Sequence, residues 1–397
     1  MLPFDPRDPQ HSVVGVPFDE LARIRAEEPV CRTPGGGWFL SRQVEIQECL
    51  TEVETFVADL APLSGLSDHR DIPQGELFLS EIEEPRHGRV RRLYNACFAR
   101  HRLGALDGYL EAVCHGLVDK MLGEEGAVAD LHVGYAMPIP SRALARLMGL
   151  PESAADHFMT CSLDGTLMQR SVSPGVDREG PPIRRFFAEH LARRRAEPVD
   201  GARDVYATLL EAEIDGQPLS DTEIVSQLQF MVMAGVHTTR TFLTHLFHRL
   251  LIDPDLFRQV QGDRALVPSY VEESLRHDAP VQATSRRCTR TVEIGGFEIG
   301  EGAWLEVGLG SANRDEAVYA DPGEFRLDRE DPTDHLAFGG GSHICPGATL
   351  ARLEGRTAVN VLLDRVAAME PIAGVTYPPL PSSLSNLPIP ARLTPRR

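Results

Sequence analysis

Apolar positions at helical spacing dominate the chain, and the longest such run opens at Ser220. Ser220-Asp221-Thr222-Glu223 has the form of a capping box, in which serine hydroxyl and glutamate carboxylate each satisfy a backbone N–H of the opening turn. The pattern continues to about Ile252, just before Asp253-Pro254. At 1.5 Å per residue this predicts a helix of roughly 48 Å, long enough to cross the molecule. Its centre reads Met231-Val232-Met233-Ala234-Gly235-Val236-His237-Thr238-Thr239. An interior glycine costs about 1 kcal/mol against alanine, and Thr238 can bond back to the carbonyl of Ala234 and bend the helix. Such a weak point has two readings: a helix–helix contact that needs small residues, or a surface against which another group packs.

The remaining pattern is mostly helical. Residues 17 to 28 read as a short amphipathic helix. Pro29–Thr33 and Trp38–Ser41 flank the Gly35-Gly36-Gly37 turn as a small hairpin. Residues 58 to 80 form a loop-rich stretch of the kind that is usually functional or mobile. Residues 104 to 214 read mainly as helices, broken near Pro138, Pro140, Pro151 and Pro181-Pro182, with 169 to 182 as a mobile connection. Another helix covers 266 to 277. Strands follow: Thr291–Ile294 and Phe297–Ile299 around a two-residue Gly295-Gly296 turn, then Ala303–Val307. Residues 311 to 337 are irregular and charged, a helix is expected from Pro346 to about Val366, and the proline-bearing tail is extended. With no internal repeat and no linker, the expectation is one domain over residues 1–397, mainly α with a minor β-rich region.

Composition changes this picture little: 42% hydrophobic and 25% charged residues exclude a disordered or membrane-embedded chain. A net charge of -18 argues against nucleic acid or anionic membranes as partners. The opening Met1–Pro6 lacks the basic and apolar regions of a signal peptide, and no apolar run reaches the length of a membrane span, so a cytoplasmic protein is expected. Seven cysteines, odd in number and without CxxC spacing, indicate neither a disulfide framework nor a zinc site.

Two stretches stand out locally. Residues 86 to 102 hold six arginines and no acid, in a chain with 58 acids against 40 bases. His87 and Arg91 are four apart and share one helix face, so the stretch is either a solvated basic helix or one that aims two donors at an anion. The second is Phe338-Gly339-Gly340-Gly341-Ser342-His343-Ile344-Cys345-Pro346-Gly347. Three consecutive glycines suit a tight loop rather than a helix or strand. Pro346 fits a first helical position, which puts Cys345 beside a helix N-terminus, where a thiolate is favoured. Such a thiolate is a nucleophile or a metal ligand. Glu273 and Arg276, at i and i+3, could be an ordinary surface pair.

Four signals, in this order and spacing, resemble the cytochrome P-450 family: His87-x-x-x-Arg91, Ala234-Gly235-x-x-Thr238-Thr239, Glu273-x-x-Arg276 and the Phe338-to-Gly347 loop. The resemblance spans essentially the whole chain. It implies the cytochrome P-450 fold and haem b (iron protoporphyrin IX), with Cys345 as the axial thiolate on iron. It further implies that His87, Arg91, Arg286 and His343 bind the haem propionates, that Phe338 packs near the thiolate, and that Gly347 belongs to the haem-binding loop. Ala234 and Gly235 let the long helix lie over the distal haem face, and Thr238 offers its hydroxyl to the oxygen being activated. Glu273 and Arg276 become a buried structural pair. The expected activity is insertion of one oxygen atom from O2 into a hydrophobic small molecule, by hydroxylation, epoxidation or oxidative dealkylation. Ferredoxin and ferredoxin reductase are the expected electron donors, docking near Arg89, Arg92 and Arg100, and a monomer is expected. Substrate contacts are expected from residues 58 to 80 and 165 to 182, from Phe230, Met231 and Met233, from Gln282, Ala283 and Thr284, and from Leu384.

The chain departs from the family twice. His237 stands where an acid usually precedes the distal threonine. It is either a proton relay or a packed helix residue whose ring bonds a neighbour. Glu324 stands where an arginine often completes a Glu-Arg-Arg cluster, leaving Arg326 or Arg329 as substitutes. Three other readings compete. A peroxide-driven peroxygenase gains from the missing acid but loses from the retained Thr238. A non-catalytic haem-binding sensor has no need of Thr238. A haem-free helical scaffold would keep Cys345 only as a structural thiol.

Overall fold

The computed structural model describes residues 4–61, 65–66, 69–123, 128–177, 179–199, 201, 203–377, 379–380 and 388–396. Helix takes 54% of the chain and strand 12%, which is the mainly helical architecture expected. The chain divides into two compact units: Met1–Val57, Gly108–Met137 and Thr238–Arg397 in the first, Ala58–Asp107 and Pro138–His237 in the second. The long helix, Asp221–Ile252, gives its first half to one and its second half to the other.

In the first unit, strands from distant parts of the sequence share one sheet. The Val30–Arg32/Trp38–Leu40 hairpin is antiparallel, and Trp38–Leu40 also pairs in parallel with Trp304–Val307, Leu305 opposite Trp38. Trp304–Val307 then pairs antiparallel with Thr284–Cys288, which sets Leu305 opposite Arg286. The apolar face of this sheet buries Val30, Leu40, Leu305 and Val307 with Ile46 and Leu50 from the helix Gln43–Thr51. The expected Gly295-Gly296 hairpin is present, both glycines at positive φ as a two-residue turn of that hand requires. The tail forms a strand, Pro390–Pro395, antiparallel to Val366–Pro371 on one side and to Val128–Asp130 on the other. Helix Ala348–Arg365 approaches the long helix closely at Gly355, where a Cβ would come within 2.8 Å of the Phe242 ring.

In the second unit the capping box forms as read. Ser220 N–H and Oγ donate to Glu223 Oε2 at 2.9 and 2.8 Å, and Glu223 N–H returns to Ser220 Oγ at 3.3 Å. The start of the stretch 169 to 182, expected to be mobile, is anchored at Arg170 and Ser171. Arg170 is fully buried, its Nη2 2.6 Å from Glu81 Oε2 and its guanidinium 3.8 Å from the Phe78 ring. Ser171 N–H adds a bond to Glu76 Oε2 at 3.0 Å. A desolvated guanidinium is costly unless its donors are met, so this segment is fixed by its partners despite its serine and glycine content.

Candidate functional site

Of the seven cysteines, all free, six are buried and Cys345 is half-buried. Burial pushes the thiols of Cys31 and Cys97 up to about 11 and those of Cys49 and Cys114 up to about 12. Burial raises Cys161 and Cys288 as well. Thiolate chemistry therefore has one candidate position, and the loop around it is tightly determined. Cys345 N–H donates to Phe338 O at 2.9 Å, closing the glycine turn. Gly339 and Gly341 both have positive φ. At Gly341 a side chain would also collide with the carbonyl oxygen of Leu50, so glycine is required there on two counts. A Cβ on Gly347 would lie 3.8 Å from Cys345 Sγ, so Gly347 lies against the sulfur.

The helix after the loop starts later than the proline suggested. It runs Ala348–Arg365 with Gly347 as N-cap. Pro346 precedes the cap because Ala348 N–H reaches back to Cys345 O at 3.4 Å, making Pro346-Gly347 a turn.

Two buried carboxylates on the helix Val267–His277 are held by arginines, and one of them is linked to this loop. Glu273 takes a bidentate pair from Arg276, 2.8 Å on each oxygen, and Arg329 Nε at 3.0 and 3.1 Å. Arg329 is thus the third member of the cluster. Arg326 contributes only its backbone N–H, at 2.8 Å, while its side chain turns outward to Asp321 and Asp328. The neighbouring Glu272 was not singled out from sequence. It accepts from Arg352 Nε and Nη2 at 2.8 to 3.0 Å and faces His335 Nε2 at 3.3 Å. Burial alone would raise Glu272, but these partners outweigh it and hold the carboxyl at about 2. Arg352 also lies 4.6 Å over the Phe338 ring, so one guanidinium links the helix, the loop and the carboxylate.

Arg286 is buried on its strand, with Nη1 donating to Ser285 O at 2.7 Å. Among the described residues no carboxylate pairs with it, and burial lowers its pKa. Gln282 turns its amide to Ala279 O at 2.7 Å. That contact holds the chain locally. Ala283, Thr284, His343 and Thr238 are half-buried. Leu384 lies outside the described residues.

In the second unit the basic helix runs Arg86–Cys97. His87 is buried, with Nδ1 2.9 Å from Glu84 Oε1, and Arg91 Nε donates to Asn95 Oδ1 at 3.1 Å. The helix is less positive than its sequence suggests, because Arg86 pairs with Glu223 and Arg89 with Asp215. Arg89 is thus partly neutralised by its pair, whereas Arg92 and Arg100 are exposed. Met231 and Met233 are buried, and Phe230 stacks on Phe78 with ring centroids 5.3 Å apart. A Cβ on Gly235 would reach within 2.9 Å of Leu144 Cδ1, so the helix packs closely against that leucine here. His237 Nε2 lies 3.1 Å from Ser162 Oγ.

Residues 183–369 match the model of the cytochrome P450 family. The chain is 32% identical over 365 residues to cytochrome P450 107B1 of Saccharopolyspora erythraea, covering 87% of each chain. This protein belongs to the cytochrome P450 family. It is also 31% identical to the cyclomarin C epoxidase CymV of Salinispora arenicola, covering 85% of each. The solved structure of cytochrome P450 CYP109Q5 from Chondromyces apiculatus superposes with a TM-score of 0.83 at 28% identity, over 99% of this chain and 98% of that one.

As a P450 it is a haem-binding monooxygenase, and its own residues fit the cofactor. A single accessible cysteine on a rigid loop suits an axial thiolate. A buried guanidinium without a carboxylate among the described residues suits a group that brings its own carboxylates. No cluster of three or more histidine, cysteine or acidic side chains among the described residues could hold a bare metal ion. No helix among them is long and apolar enough to cross a membrane.

Proposed function

We propose that this P450 inserts one oxygen atom from O2 into an apolar small molecule, with electrons from a separate ferredoxin and its reductase. The observation that carries the reading is the Cys345 loop, whose glycine clearances and Cys345–Phe338 bond fix the sulfur. Haem, when bound, supplies the redox chemistry, and the protein supplies orientation, protons and exclusion of water. Cys345 would hold the haem iron through its thiolate. Arg286, His343, His87 and Arg91 are assigned to the haem carboxylates. The buried Met231 and Met233 favour an apolar substrate, and the kinship with an epoxidase supports oxygen insertion.

Thr238 is assigned as the hydroxyl that orients the oxygen being activated, and His237 as the group that passes protons toward it. Imidazole suits this role because it titrates near neutrality and carries one donor and one acceptor nitrogen. Exposed Arg92 and Arg100 are assigned to ferredoxin docking. The test is turnover of an apolar substrate with NADH, ferredoxin and reductase under labelled O2. One labelled oxygen per product, with consumption of NADH, supports the reading. Turnover with peroxide but none with the ferredoxin chain replaces it with a peroxygenase.

A further inference from the structure

Helix Ser153–Leu163 buries Ala154, Ala155, Phe158 and Cys161, and among them one hydroxyl, Ser162. A buried hydroxyl is costly unless it finds a partner. Ser162 Oγ meets His237 Nε2 at 3.1 Å. Its position is as telling as the bond. Ser162 lies in the last turn of the helix, and the next three residues, Leu163, Asp164 and Gly165, are all exposed. On its other side the contact leads into the long helix, where His237 is followed directly by Thr238. Ser162 thus adjoins an exposed helix end in sequence and touches the imidazole that precedes Thr238.

We propose that Ser162 is a positioning residue for proton delivery: it holds Nε2 of His237 and forms the outer station of a path that enters at the C-terminal end of helix Ser153–Leu163. This rests on the reading of His237 as a relay. The chemistry balances as a proton transfer without redox. The Ser162 Oγ–H bond breaks as an Nε2–H bond forms, and the imidazole releases its Nδ1 proton inward. Water then returns a proton to Ser162, and the ring resets by changing tautomer. A serine hydroxyl with one donor and two acceptor sites can take both parts. Alanine at 162 would leave His237 in place but remove its outer partner, whereas threonine keeps a hydroxyl at the same branch point.

The experiment uses the holoenzyme with ferredoxin and reductase. Wild type, Ser162→Ala, Ser162→Thr and His237→Ala are compared in three readouts: turnover rate, solvent isotope effect, and the 15N signals of labelled His237 in the reduced carbon monoxide complex. The expected result is an Nε2 signal shifted in Ser162→Ala, with turnover slowed about a hundredfold, the low end for loss of a proton-transfer group. The isotope effect should rise, and Ser162→Thr should restore both signal and rate. If Ser162→Ala loses the Nε2 bond yet keeps wild-type rate and isotope effect while His237→Ala is slow, the serine only packs and this inference is overturned. If His237→Ala also matches wild type, the relay reading of His237 has failed, and this inference with it.

Discussion

Replacing Arg329 by alanine tests the rigidity of the proximal side. Glu273 and Arg276 are each 1% exposed at the side chain and Arg329 9%, so the cluster is a desolvated carboxylate between two guanidinium groups. Removing one partner of a buried ion pair costs about 3–5 kcal/mol, because the remaining charge is left uncompensated. Here Glu273 would keep both Arg276 bonds and the Arg326 N–H. The carbonyls of Ala320, Asp321 and Glu324 that Arg329 also bonds lie near solvent and can turn to water. The cost should therefore fall at the low end, about 3 kcal/mol. Arg326→Ala keeps its backbone N–H and loses only exposed pairs to Asp321 and Asp328, which contribute little. Equilibrium urea unfolding followed by circular dichroism and by haem absorbance gives both values. Equal costs for the two variants, or a cost below about 1 kcal/mol for Arg329→Ala, would refute the assignment of Arg329 to the cluster.

Three further outcomes follow from the same geometry. Gly341→Ala should expel a large share of the haem on purification, because its side chain meets the Leu50 carbonyl; Gly339→Ala, at positive φ but with open space, should cost only about 1–2 kcal/mol and retain haem. Glu354 is fully buried and burial raises it to about 8, so its favourable contribution is complete below the ordinary glutamate range and lost as pH rises through about 8; Glu354→Gln should flatten the pH dependence of unfolding between about pH 4.5 and 8, by up to about 5 kcal/mol, and an unchanged slope would exclude a neutral carboxyl there. Arg92→Glu and Arg100→Glu should slow reduction by ferredoxin at low ionic strength, with the difference fading as salt is added, and leave substrate binding intact; unaltered stopped-flow rates would remove these residues from the docking surface.

What the sequence made legible was local or periodic. The Ser220 capping box, the Gly295-Gly296 turn and the long helix each depend on residues within a few positions of one another. The Cys345 loop was legible for the same reason, since its glycines and cysteine form one short pattern. The pairings that hold the site were not. Arg170 finds Glu81 across 89 positions and Arg352 finds Glu272 across 80, and no spacing rule joins such partners. Counting arginines in the basic helix overstated its charge, because Glu223 and Asp215 lie far along the chain and neutralise Arg86 and Arg89. Arg326 and Arg329 were indistinguishable until the backbone showed which one turns inward. Pro346 suggested a helix start, but the bond from Ala348 N–H to Cys345 O makes Pro346-Gly347 a turn and the helix begins at Ala348.

The central claim is that Cys345 is the iron ligand, and the absorbance of the reduced protein under carbon monoxide tests it most directly. Wild type should show the strongly red-shifted band of a thiolate-ligated haem, and Cys345→Ala, with its loop otherwise intact, should lose that band and all monooxygenase turnover. A wild-type band in Cys345→Ala would place the ligand elsewhere and contradict the account.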